Sequence, residues 1–247
     1  MKASAPKIAF LAADTLRSKA YAQGLETGDI PLISSLIYGY SADNVRAGQS
    51  KNSESLQRIK SFDPFRPLDT SLSKNSKKLQ RTSSANLNSS DIAKWVTETR
   101  ADVIIFSGYG GDIAPKELLS ASPPFLHCHS GWLPDYRGST TLYYSWLKES
   151  FVGVSAILLS PEIDQGDILL KKRFPVPNQN QDPDYDYDCI IRAETLIEAL
   201  KKLQRDGQFD RLEKQNTSTG NTYYVIHPVL KHIARLSNKK PQTAQAI

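Results

Sequence analysis

Apolar residues fall along this chain in two rhythms, short unbroken runs and spaced helical stripes, and the two alternate. The run in KIAFLAAD reads as a strand. After Asp14 the spacing of Leu16, Ala20, Tyr21 and Leu25 predicts a helix stopped by Gly24 and Gly28. PLISSLIYGY predicts a second strand. Further on, Ser90 reads as the N-cap of a helix carrying Ile92, Trp95 and Val96. The buried-type strand DVIIF follows, then the glycine-rich turn SGYGGDIAP and a short helix opened by Pro115. FLHCH is the next strand, STTLYYSWLKES the next helix and GVSAILLS a further β-rich run. PEIDQGD supplies a turn, and ILLKKRFPVP leaves it as a strand. A helix from about Cys189 to Gln204 places Ile190, Ile191, Leu196, Ile197, Leu200 and Leu203 on its apolar side. NTYYVIHPVLKHIARL adds a strand and a short helix, and the last ten residues are expected to fray.

Strands alternating with helices predict an α/β fold, a Rossmann-like, mostly parallel sheet with helices on both faces, plus a small C-terminal accessory element. The expected division is a catalytic domain over residues 1–206, a strand and helix extension over 207–236 and a disordered tail over 237–247. Residues 41–90, rich in Ser, Asn and Lys, have little periodicity and read as a long surface excursion. Ligands of such sheets collect beyond the C-terminal strand ends, so the turns after DVIIF and FLHCH are where a site is expected.

Composition narrows this only slightly. Hydrophobic residues make up 39% of the chain and charged residues 23%, ordinary values for a globular protein. The formal charge of +5 comes largely from Lys74, Lys77, Lys78, Arg81 and the segment Lys231 to Lys240. Such charge runs are usually solvated faces, so no nucleic-acid partner is inferred. Two cysteines, and an opening stretch without the long apolar core of a secretory leader, point to the cytoplasm. The longest apolar runs fall far short of a membrane helix, so no membrane partner is expected.

The chemistry concentrates in FLHCHSGWLPDYRGS. In an extended strand side chains alternate, so His127 and His129 share one face and Cys128 takes the other. Taken alone, the pair fits one core and one surface histidine. It equally fits a zinc or iron site with Asp164 as a third ligand. The glycines at 110 and 111 lack the phosphate-cradling patterns of dinucleotide or P-loop enzymes. Trp132, Tyr136, Tyr143, Tyr144 and Trp146 read as core and pocket wall.

Four motifs in order add a resemblance: YGGDIAPKELL, His127-Cys128-His129 with Leu133-Pro134, Arg137-Gly138, and Asp164-Gln165-Gly166-Asp167-Ile168. Over roughly residues 90–175 the chain resembles the folate-dependent formyltransferases, which include the glycinamide ribonucleotide, methionyl-tRNA and sugar N-formyltransferases. The resemblance implies 10-formyltetrahydrofolate as formyl donor and co-substrate, with no metal. It also implies a small-molecule amine as acceptor, an amino-sugar nucleotide being the first choice, with a homodimer as an open assembly. His129 matches the family's catalytic histidine, which moves protons, and Asp164 the aspartate that orients it. His127 stands where the family has asparagine and is expected to serve as oxyanion donor if its tautomer allows. Phe106, Tyr109, Gly110, Gly111, Ile113 and Asp164 are expected to hold the folate. One of the two neighbouring histidines should titrate below the usual value, because both cannot easily be charged. The competing readings are a metal-dependent hydrolase ligated by His127, His129 and Asp164, and a folate-binding homologue without catalysis.

Overall fold

In the computed structural model, which describes residues 5–40, 62–120, 123–207, 209 and 212–237, a seven-stranded sheet runs through the core. Strands β1 (Ile8–Ala13), β2 (Ser34–Tyr38), β3 (Leu79–Arg81), β4 (Val103–Ser107), β5 (Phe125–His129), β7 (Phe151–Leu158) and β8 (Ile168–Pro175) lie in the order β3-β2-β1-β4-β5-β7-β8. The first five in that order are parallel, and β7 and β8 close the sheet as an antiparallel hairpin beside β5. All residues of β1, β2 and β4 are buried, which is why β1 and most of β4 read as apolar runs; both faces of the sheet are covered. Helices α1 (Leu16–Thr27), α2 (Leu68–Asn75), α5 (Thr141–Lys148) and α6 (Asp188–Asp206) contribute to one apolar cluster. Helices α3 (Ser90–Glu98) and α4 (Lys116–Ser120) cover the other face.

Three expectations shift. Gly24 does not stop α1, which runs on to Thr27. At Gly24 the helix passes close to α6: a Cβ there would lie 3.3 Å from Ile197 Cγ1, so the glycine serves packing rather than termination. The cap of α3 is Ser89, one residue before the expected Ser90. Within the expected excursion over 41–90, residues 41–61 lie outside the described residues, but 62–90 are ordered. Leu68 and Leu72 bury one side of α2, β3 extends the sheet beside β2, and Phe62 and Leu87 enter the core. Two leucines in eight residues give too short a stripe for periodicity to register.

The C-terminal residues fold back over the sheet end. Strand β9 (Asn221–Tyr223) pairs in parallel with β6 (Tyr136–Gly138), forming a second small sheet, and α7 (Pro228–Ser237) packs on α5. The expected frayed tail over the last ten residues lies outside the described ones. Among the described residues no helix is long and apolar enough to cross a membrane.

One polar clamp joins α6 to β5. The largely buried guanidinium of Arg192 donates to the Asp188 carboxylate at 2.9 Å and, through Nη1, to the Cys128 carbonyl at 3.0 Å, while the Ser130 hydroxyl also donates to Asp188. Replacing one partner leaves the other uncompensated. Arg192→Met is expected to cost roughly 3 kcal/mol, seen as a lower urea midpoint at unchanged slope.

Candidate active site

Beyond the C-terminal ends of β1, β4 and β5 lies a cavity of about 520 Å³. Its wall includes His127, His129 and Asp164, and also Phe106, Tyr109, Gly110, Gly111 and Ile113; all the site residues expected from the sequence therefore meet in one place. Strand alternation places them as expected, with Cys128 on the opposite face in the apolar core, where burial pushes its thiol up to about 12.

His129 is buried and held at both ring nitrogens. Nε2 lies 2.7 Å from the Tyr136 carbonyl, which can only accept, so Nε2 carries a hydrogen. Nδ1 faces Asp164 Oδ1 at 3.3 Å. The other oxygen of that carboxylate accepts the Gly138 N–H at 2.8 Å. Asp164 occupies the left-handed region, with φ 55°, a conformation that Asp tolerates better than most residues. The loop around it is held from two sides. Gln215 Nε2 donates to the carbonyls of Asp164 (2.9 Å) and Gly166 (2.7 Å), and Gly166 presses so close to β7 that a Cβ would lie 1.6 Å from the Leu158 carbonyl oxygen.

His127 is held differently. Its Nδ1 lies 3.2 Å from the Phe106 carbonyl of β4, so Nδ1 is the donor. Burial holds its imidazole well below the ordinary histidine value, reinforced by the positive charges of Arg17 and Arg192 and by His129. This is the depression expected for one of the pair. The oxyanion-donor role expected of His127 depends on that tautomer. A neutral ring with its hydrogen on Nδ1 has only a lone pair at Nε2 and offers the cavity no N–H. The metal reading also loses ground. Of the four ring nitrogens, three already face protein oxygens, and among the described residues no three side chains are grouped to hold a metal ion.

The glycine-rich loop presents bare backbone to the cavity. The Asp112 carboxylate anchors it by accepting from the Tyr38 hydroxyl (2.6 Å) and the Tyr109 N–H (2.7 Å). A Cβ at Gly110 or Gly111 would have no neighbour within 4 Å, and Gly111 has φ 91°. Ile113 stands 63% exposed at the rim. The sequence reading missed other residues of the wall. Arg17, at the start of α1, donates through Nε to Ser107 Oγ at 3.1 Å and through Nη2 to the Gly108 carbonyl. Asp188 and Arg192 enter from α6, and Tyr224 and Val225, 80% and 75% exposed, come from the C-terminal segment. For Arg17 a signal existed, since it opens the helix that follows the C-terminal end of β1; for the residues from α6 and the C-terminal segment only the folded chain brings them there.

The sequence matches the family described as formyl transferase over residues 40–194. It is 29% identical over 163 residues to a methionyl-tRNA formyltransferase of Caldanaerobacter subterraneus subsp. tengcongensis, covering 64% of this chain and 51% of that one. The chain thus spans about half the length of that curated relative. In fold it is similar to glycinamide ribonucleotide transformylase 1 from Symbiobacterium toebii, with TM-score 0.58 and 15% identity over 86% of this chain and 95% of that one. It is also similar to a sugar N-formyltransferase from Shewanella sp FDAARGOS_354, with TM-score 0.55 and 18% identity over 96% and 90%.

Two measurements probe the site's frame. Gly166→Ala is expected to cost about 3 kcal/mol in thermal unfolding, because the added methyl meets backbone; Gly110→Ala, opening on free space, should stay within about 0.5 kcal/mol. Secondly, the depressed His127 means that below about pH 6.5 the unfolded chain binds a proton that the folded chain refuses. Stability contributed at higher pH is therefore lost as pH falls, by at most about 1.4 kcal/mol per unit. Urea unfolding from about pH 7 to 5 should show this slope, and His127→Gln should flatten it.

Proposed function

The chain belongs to the formyl transferase family, and from that premise we propose that it moves a formyl group from 10-formyltetrahydrofolate to a primary amine. The observation that carries this reading is the largely buried His129–Asp164 pair, set beside His127 in the wall of a cavity that Gly110 and Gly111 also line. Formyl transfer needs proton movement at nitrogen, because the attacking amine sheds a proton and the folate nitrogen gains one. With Nε2 committed to the Tyr136 carbonyl, His129 exchanges protons at Nδ1, and Asp164, fixed by the Gly138 N–H, orients that atom.

The donor fits these residues. A cavity of about 520 Å³ lies within the range that ligand pockets occupy. Gly110 and Gly111 leave room for a flat ring edge against backbone, with Phe106, Tyr109 and Ile113 as its apolar surround. The donor supplies the formyl carbon and the departing nitrogen; the chain supplies orientation and proton handling.

For the acceptor our reading is an amine on a nucleotide-linked sugar. In its support, the cavity mouth carries the accessible Tyr224 beside Val225, a flat apolar face for a base or sugar ring, and Arg17 adds a cation within the wall. Residues 1–206 would then be the catalytic unit and 207–236 the accessory part, working in the cytoplasm. A second reading, an aminoacyl-tRNA acceptor, is favoured by the sequence relative named for methionyl-tRNA.

The decisive measurement is calorimetric binding of 5-formyltetrahydrofolate, an unreactive mimic of the donor, in EDTA. Micromolar affinity, about −8 kcal/mol, is expected for the wild type. His129→Ala should keep that binding yet lower kcat by roughly 10²–10⁴-fold. Mass spectrometry of dTDP- and UDP-linked amino sugars and of methionyl-tRNA after incubation with the donor would separate the acceptors. Absence of folate binding, together with stoichiometric zinc or iron in untreated protein, would return the histidines to the hydrolase reading.

A further inference from the structure

The two histidines are not equivalent acceptors. Both nitrogens of His129 face protein oxygens, Nε2 the Tyr136 carbonyl and Nδ1 the Asp164 carboxylate, so a proton reaches that ring only past an existing partner. His127 has one nitrogen engaged, Nδ1 with the Phe106 carbonyl at 3.2 Å. Its Nε2 has no protein partner among the described residues, yet it is not among their sealed, unpartnered polar atoms, and the residue borders the cavity. Nε2 is therefore an accessible lone pair beside the His129–Asp164 pair. A primary amine bears N–H donors and attacks through its own lone pair, so it needs an acceptor beside it.

We propose that His127 Nε2 is the first acceptor for the attacking amine, receiving its N–H as a hydrogen bond and then as a proton. The inference rests on the formyl-transfer reading above. The amine nitrogen bonds to the formyl carbon, one of its hydrogens passes as a proton to Nε2, and the bond from that carbon to the folate nitrogen breaks. The proton then passes by way of His129 Nδ1, beside Asp164, to the electron pair left on the folate nitrogen, so both rings return to their starting state and nothing is oxidised or reduced. The charged groups facing this ring favour a brief stay. Arg17 comes from the start of α1, Arg192 from α6 and His129 from the same strand, and each disfavours a second hydrogen on His127. The neighbouring carboxylate, Asp164, is aimed at His129.

A conservative variant separates acceptor from donor. Asparagine offers N–H donors but no basic nitrogen. With dTDP-linked amino sugar as acceptor, His127→Asn is expected to lose about 10²–10³-fold in kcat with KM within about threefold, and added imidazole should restore part of the rate to His127→Gly. Binding of 5-formyltetrahydrofolate should be unchanged in both, which excludes a collapsed pocket. Independently of turnover, nitrogen NMR of histidine-labelled protein should find His127 neutral with its hydrogen on Nδ1, assigned among only four histidines by the variants. A hydrogen on Nε2 at neutral pH, or a His127→Asn variant as fast as wild type, would overturn the proposal. If the wild type neither binds the folate mimic nor transfers formyl, the formyl-transfer reading has failed instead, and the base role for His127 falls with it.

Discussion

The structure turns on how one carboxylate is shared. Asp164 gives one oxygen to His129 and the other to the backbone of Gly138, and by doing so it ties the end of β5 to the end of β6 in the small β6–β9 sheet. Neither contact is available to a carboxylate on a regular strand. The residue must leave the β7–β8 hairpin in a left-handed conformation, and the chain must then return flat against β7, where only Gly166 fits. Position, backbone conformation and following glycine form one constraint, which is why the segment from Asp164 to Gly166 behaves as a unit.

That constraint was partly legible in the sequence. Strict alternation in FLHCH was enough to put His127 and His129 together, because an extended backbone leaves the two side chains no alternative. The strands buried on both faces also declared themselves, since IAFLAA and VIIFS need no polar face. What the one-dimensional pattern lacked was partners. Whether His127 donates or accepts depends on the Phe106 carbonyl, one strand away, and nothing in the local spacing encodes it. Arg192 escaped attention for a related reason. It lies on the polar side of a helix read for its apolar stripe, and only packing against β5 makes that side the inner one. The ordered stretch after residue 62 was hidden by brevity, since a three-residue edge strand and an eight-residue helix carry too few apolar positions to form a period.

Electrostatics at the site follows from the same placement. Arg17 from α1 and Arg192 from α6 are structural donors to main-chain carbonyls, Gly108 for one and Cys128 for the other. Their positive charges cost little there because hydrogen bonds satisfy them, yet they oppose a second hydrogen on His127. Backbone anchoring and control of the imidazole are therefore one arrangement. A substitution meant to alter one alters the other.

The pattern along the chain changes near residue 206, but the bonds that define the site cross that point. Gln215 holds the backbone of Asp164 and Gly166, the Arg137 guanidinium donates to the carbonyls of Thr217 and Thr219, and Tyr223 stacks on Tyr136 with ring centroids 5.4 Å apart. At the seam two glycines meet the opposite backbone: a Cβ on Gly138 would lie 2.1 Å from the Tyr223 carbonyl oxygen, and one on Gly220 1.9 Å from that of Pro134. Such close approach leaves no slack between the C-terminal segment and the loop carrying Arg137 and Gly138. Since Gly138 also donates to Asp164, any shift of the C-terminal segment reaches the carboxylate through one residue, and through it the ring of His129. The segment that brings Tyr224 and Val225 to the cavity mouth is thus joined to the His129–Asp164 pair through covalent and hydrogen-bonded contacts alone.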